Sequence, residues 1–139
     1  ELNYPKLKLE FNEKPILFNQ ISTSSKEFVN KEYINKWEKT QEGYCFEQRY
    51  STFKVNRNEV CPTLCATQRK SFYTGLLHPI EKRKLNETEY KLSGTFPLDY
   101  KTIKTNDENF VSHLIGMSVP PVMTAQIAHQ IYLQWFSQC

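Results

Sequence analysis

Apolar residues recur at every fourth position near one end of the chain: Val119, Met123, Ile127, Ile131 and Trp135 make a stripe, which Ala128, Tyr132 and Phe136 widen. That period predicts an amphipathic helix buried on a broad face. Pro120 and Pro121 precede it. Their fixed φ and missing N–H suit a first helical turn, so they predict a helix opening near Ser118 or Val119 rather than a break. Gly116, just before, permits backbone angles that other residues resist, or a close approach by a ligand. At the other end Leu7, Leu9 and Phe11 alternate with Lys8 and Glu10, the period of a half-buried strand, and Pro15-Ile16-Leu17-Phe18 reads as a second short one.

Between these ends the pattern changes three times. SSKEFVNKEYINKWEK places Phe28, Tyr33, Ile34 and Trp37 at mixed spacing behind a serine N-cap signal, which predicts one or two short helical turns. GYCFEQRYSTFKV is aromatic and β-branched, Asn56-Arg57-Asn58 is turn chemistry, and VCPTLCA follows; the run predicts strand, turn, strand. Asn86-Glu87-Thr88-Glu89 has the form of a capping box, so a short helix should start there, with Gly94 placed to end it and Phe96-Pro97 to prevent its continuation. A polar stretch over 101–109 then links to the last helix. The layout is a β-rich part followed by two helices.

A length of 139 residues suits one domain, or a small domain with an appendage, and 39% hydrophobic with 24% charged residues is ordinary for a soluble globular chain. The net charge of +3 is unevenly spread. Between residues 49 and 84, eight basic residues (Arg49, Lys54, Arg57, Arg69, Lys70, Lys82, Arg83, Lys84) face only Glu59 and Glu81, a local +6 against −3 elsewhere. Interleaved with Tyr50, Phe53, Phe72 and Tyr73, that stretch is compatible with a phosphate backbone as partner; taken singly, each cation is better explained as a solvated surface charge. Neither a signal peptide nor a membrane span is visible, so no membrane role is expected. The chain begins without methionine, which suggests an excised or processed piece. Cys45, Cys61, Cys65 and Cys139 are expected as reduced thiols, and Asn86-Glu87-Thr88 fits a glycosylation acceptor, a pattern common by chance.

No ordinary catalytic constellation assembles. His78, His113 and His129 are far apart, and a lone His is more often a hydrogen-bonded structural residue than a catalyst. Cys61 and Cys65 with Cys45 supply too few ligands for a closed zinc site, so no metal is expected. Glu87 and Glu89 are explained by capping and the helix dipole. A chain with four glycines carries no glycine-rich phosphate loop. Residue chemistry alone gives no catalytic residue.

Three stretches read together point to a family. RKLNETEYKLSGTFPLDY (83–100) resembles the ninth motif of the DNA (cytosine-5) methyltransferases, approximately R-x-L-T-x-R-E-x-A-R-L-Q-G-F-P-D-x-Y. HLIGMSVPPVMTAQIAHQI (113–131) resembles their tenth, approximately R-Q-I-G-N-A-V-P-P before an amphipathic helix. Pro62-Thr63-Leu64 is similar to the Thr-Leu pair of the family's target recognition domain. Residues 1–59 match no family motif. Met117 stands where the tenth motif has Asn, and Thr88 where the ninth has its second Arg. The family's Phe-x-Gly-x-Gly loop, Pro-Cys nucleophile and Glu-Asn-Val acid are absent, and Cys61-Pro62 has the nucleophile's order reversed.

The resemblance implies an α+β chain: a small β-rich target recognition domain at 1–82, a ninth-motif helix and hinge at 83–109, and a tenth-motif turn with C-terminal helix at 110–139 that belongs to an absent α/β methyltransferase domain. It implies the C-terminal DNA-recognition part of an S-adenosylmethionine-dependent DNA (cytosine-5) methyltransferase of a restriction–modification system, cytoplasmic, from a bacterium or phage. In the family a cytosine is flipped from the stack, a cysteine thiolate adds to C6 and C5 takes the methyl group; those steps would lie outside this chain, which alone is expected to be inactive. Gly116, Met117, Ser118 and Val119 would line the cofactor. Thr63, Leu64, Gln68, Arg69 and Lys70 would make groove contacts with double-stranded DNA, and Arg49, Lys54 and Arg57 phosphate contacts. The apolar stripe would dock on the catalytic domain or, without it, drive self-association. Two rivals are a non-catalytic DNA-binding subunit of a split methyltransferase and a secreted, disulfide-stapled interaction domain.

Overall fold

The computed structural model describes residues 6–11, 13–25, 31–46, 52–66, 75–101 and 110–137, and of Glu32 and Tyr33 the backbone only. Among them lie helices α1 (Phe18–Ile21), α2 (Lys31–Lys39), α3 (Glu87–Ser93), α4 (Phe110–Met117) and α5 (Pro121–Ile131), the last running on as a π-helical turn (Tyr132–Phe136). Strands β1 (Thr52–Lys54) and β2 (Gly75–Leu77) pair in parallel, with Phe53 opposite Leu76. Phe18, Val55, Leu76, Leu85, Tyr90, Val111 and Ile115 form one buried cluster, drawing on α1, the sheet and its flanks, α3 and α4. Each such side chain, fully buried, contributes about 1.5–3 kcal/mol.

The capping box at α3 forms as its residues predict. Asn86 Oδ1 accepts from the Glu89 amide at 2.9 Å, and Glu89 Oε2 accepts from the Asn86 amide at 2.9 Å. Asn86 is also buried, its Nδ2 donating to Thr23 Oγ1 at 2.8 Å, so the folded chain does not present it for glycosylation. Gly94 ends the helix, but with φ −81 it needs no left-handed freedom; Thr95 takes φ 59 instead. Gly94 matters for space. A Cβ there would come within 2.8 Å of Ile115 Cγ2, so the missing side chain lets α4 lie against α3.

The sequence reading and the structure differ at several elements, each for a physical reason. Leu7, Leu9 and Phe11 form no strand: Leu9 and Phe11 stay exposed, and glutamines of the C-terminal helix take the place of a partner strand. Gln134 accepts from the Lys8 amide at 2.9 Å and donates to its carbonyl at 2.7 Å, while Gln130 reaches the Glu10 carbonyl at 3.5 Å. The run at 15–18 turns into α1, because Phe18 enters the core and the amides of Phe18 and Asn19 donate to the carbonyls of Glu59 and Arg57 at 2.8 and 2.9 Å. Asn56 makes the expected turn, its Oδ1 accepting from the Asn58 amide at 3.0 Å, but the residues beyond it are irregular and the partner of β1 is β2, further along the chain. The expected turn at 110–117 is helical, since Val111 and Ile115 share one face and bury it.

The C-terminal helix opens at Pro121, two to three residues after the expected start. A residue before proline is driven out of the helical region, so Val119 and Pro120 cannot be helical, and Pro120 has ψ 127. With no side-chain acceptor at Pro120, the Val122 amide finds one at Thr95 Oγ1, 3.2 Å away, which ties the start of α5 to the end of α3. None of the residues of α5 is buried. Ile127, Ile131 and Trp135 are half-buried, whereas Val119, Met123, Ala128, Tyr132 and Phe136 are exposed.

Candidate functional site

The residues directly after the Thr-Leu pair, Cys65 and Ala66, meet the tenth-motif glycine, about fifty residues further along the sequence. Exposure alternates along the segment, Thr63 and Cys65 outward and Leu64 and Ala66 half-buried, as in an extended chain laid on a surface. Leu64 packs against the core cluster. Behind it, the segment's backbone touches α4 so closely that a Cβ on Gly116 would sit 2.4 Å from the Ala66 nitrogen and 2.5 Å from the Cys65 carbonyl carbon. His113, one helical turn earlier, places Nδ1 3.1 Å from the Ala66 carbonyl oxygen. Of the two roles open to Gly116, close approach is the one seen, and its neighbour is the chain's own backbone. Past it the surface opens: Met117, Ser118 and Val119 are exposed, and Ser118 Oγ donates to the Ile115 carbonyl at 2.7 Å.

The other expected contact residues are dispersed. Lys54 is 7% exposed, its ammonium 3.4 Å from the centroid of the Trp37 ring and 3.3 Å from the Trp37 carbonyl, and burial lowers its pKa against the pull of Glu42. That is a cation holding α2 to β1, not one offered to solvent. Arg57 is exposed but forked onto Glu42, Nε lying 3.0 Å from Oε2; this pairing raises the Arg57 pKa and lowers that of Glu42. Arg49, Gln68, Arg69 and Lys70 lie outside the described residues. Cys61 is packed on the core, and burial, reinforced by the charge of Glu89 and opposed by Ser93, pushes its thiol up to about 11. At neutral pH it is protonated and a poor nucleophile. Cys45, Cys61 and Cys65 are thiols rather than disulfides, and Cys139 lies outside the described residues. Among the described residues no cluster of His, Cys, Asp and Glu could hold a metal, and no helix is long and apolar enough to cross a membrane.

A separate, buried polar network ties the residues before α3 to the segment after α1. Arg83 and Glu89, 2% and 0% exposed, form a two-pronged pair with NH1–Oε2 2.7 Å and NH2–Oε1 2.9 Å, and Arg83 Nε meets Glu81. Glu89 also accepts from the Thr23 amide at 3.0 Å, which brings the segment after α1 onto α3. Burial, the largest single influence, lowers the Arg83 pKa, but the hydrogen bonds it donates to Glu89 and Glu81, with their negative charges, raise it overall. The capping box singles out Asn86 and Glu89 in the sequence. No local spacing rule reveals that Arg83 and His78 converge on them.

His78 defines its own tautomer. Its Nδ1 accepts from the amides of Ile80 and Glu81 at 3.2 and 2.9 Å, so the proton sits on Nε2, directed at Ser22 Oγ 2.8 Å away, with Glu89 Oε1 at 3.5 Å. Burial, then the positive charge of Arg83, holds its pKa below the ordinary 6.5, against Glu89 and Glu81. The unfolded chain therefore takes a proton that the folded chain refuses. This stability is fully present above the unfolded value and is lost as pH falls through the lowered folded one. Urea midpoints should hold steady down to about pH 6.5 and then decline, with Glu81 and Glu42, both held low, adding losses below about 4.5. In His78→Asn, whose Oδ1 can accept the same amides, the first decline should vanish; an unchanged pH profile would contradict this account.

The chain is a member of a DNA methyltransferase family. The family model for C-5 cytosine-specific DNA methylase matches residues 3–133, nearly its whole length, and the chain belongs to that family. The match takes in residues 3–59, where no motif is recognisable. No curated protein and no solved structure matches. Methyl transfer to C5 of cytosine in DNA is the family's reaction, and S-adenosylmethionine is generally its methyl donor.

Proposed function

We propose that this chain is the DNA-recognition portion of an S-adenosylmethionine-dependent DNA (cytosine-5) methyltransferase of a restriction–modification system, with the 62–66 segment facing DNA and the Met117, Ser118 and Val119 turn forming one wall of the cofactor site. The observation that carries the reading is the stripe along α5 and its two ends: Val119 and Met123 are exposed, Ile127, Ile131 and Trp135 only half-buried, and none is fully covered. Such a face fits a protein surface that this chain does not supply, and in this reading that surface is the catalytic domain holding the nucleophile. The residues present fit a wall rather than a pocket. Met117 and Val119 offer 68% and 61% exposed apolar surface, Ser118 one hydroxyl, and Gly116 is already covered by Cys65 and Ala66. The cofactor, when bound, supplies the methyl group; this chain's part is to bind and orient.

The test compares short duplex DNA binding by charge-reversal variants. Reversal at Arg69 and Lys70 should weaken binding by about tenfold or more at low salt, whereas reversal at Lys6 and Lys8 should change it little. Equal effects from the two pairs would show that the attraction is a property of net charge and not of this segment.

A further inference from the structure

An extended segment that reads DNA has a register problem. Its side chains alternate between two faces, so a slip of one residue would turn Leu64 outward and Thr63 inward. Three contacts oppose that slip here. Leu64 is held by the core, the Cys65 and Ala66 backbone lies in the space a Gly116 side chain would fill, and the Ala66 carbonyl meets His113 Nδ1 at 3.1 Å. Because a carbonyl only accepts, His113 must carry its proton on Nδ1. Two of the three contacts come from one turn of α4, which is itself anchored by the buried Val111 and Ile115.

We propose that His113 and Gly116 are positioning residues that seat the 62–66 segment on α4 and fix the register in which Thr63 faces DNA. The inference rests on the DNA-recognition reading of that segment. His113 touches no nucleic acid in this scheme; it acts through the Ala66 carbonyl. Gly116 acts by absence, since any side chain there meets backbone atoms that cannot rotate away.

Hydrogen exchange at the backbone amides of 63–66, measured on the full 139-residue chain, tests the seat without reference to DNA. Exchange should accelerate about tenfold or more in Gly116→Ala and in His113→Leu, and stay near the parent rate in His113→Asn, whose Nδ2 can still donate to Ala66. If Gly116→Ala fails to fold, the two His113 variants decide the matter, with thermal unfolding confirming that both are folded. Duplex DNA affinity should fall about tenfold in His113→Leu and recover in His113→Asn. Exchange that is the same in all variants overturns the seat. Accelerated exchange with unchanged DNA affinity overturns the DNA-facing role of Thr63, and with it the reading on which the inference rests.

Discussion

Replacing Glu89 by Gln should destabilise the chain by about 3–5 kcal/mol, the cost of removing one partner from a buried ion pair. The carboxylate is fully buried and accepts from Arg83 NH1 and NH2 and from the amides of Asn86 and Thr23. Both oxygens face two donors each, so either rotamer of a glutamine sets its NH2 against N–H groups, and two hydrogen bonds are lost whichever is chosen. Arg83 would keep Glu81 and the carbonyls of Lys84 and Thr23, but not the charge that balances it in the interior. Replacing both Arg83 and Glu89 by Leu should cost less than Glu89→Gln alone, because no buried charge is then stranded. Equilibrium urea unfolding measures both variants. A loss below about 1 kcal/mol for Glu89→Gln would mean that the network is wet rather than buried.

Which parts of this arrangement could be read from the sequence depends on how local their causes are. α3 is legible because its capping box lies within four residues, and the proline-led start of the last helix is legible because proline acts on itself and its predecessor. The exact start is local too, since Pro121 drives Pro120 out of the helical region. α4 is not legible: FVSHLIGM is short, and the burial of Val111 and Ile115 in the core, which sets its face, is a long-range effect that no local period discloses. The parallel pairing of β1 with β2 joins segments more than twenty residues apart, which no period discloses. Arg83 and Glu89 are six apart, outside any helical i,i+4 rule, so their pairing needs the turn at 84–86 to be known first. At Gly116 residue chemistry leaves two physical roles, and only the fold supplies the neighbour that decides between them.

Charge gives the opposite lesson. A local +6 is compatible with a phosphate-binding stretch, yet Lys54 and Arg83 spend their charge inside the chain, and Arg57 and Lys82 stand beside Glu42 and Glu38. That removes Lys54 and Arg83 from the eight; of the other six, Arg49, Arg69 and Lys70 lie outside the described residues, and Arg57, Lys82 and the half-buried Lys84 would have to exchange contacts within the chain for DNA. Each phosphate neutralised releases a counterion and contributes about −0.9 to the slope of log affinity against log salt. Six contacts would give about −5, and four, if Arg57 and Lys82 keep their acidic partners, between about −3 and −4.

That slope is the most direct test of the claim that this chain is the DNA-recognition portion of its family's enzyme. Binding of the 139-residue chain to a mixed-sequence duplex, followed by fluorescence anisotropy from 50 to 200 mM monovalent salt, should weaken by about 60- to 1,000-fold. No binding at the lowest salt, or a change of less than about threefold across the range, would contradict it.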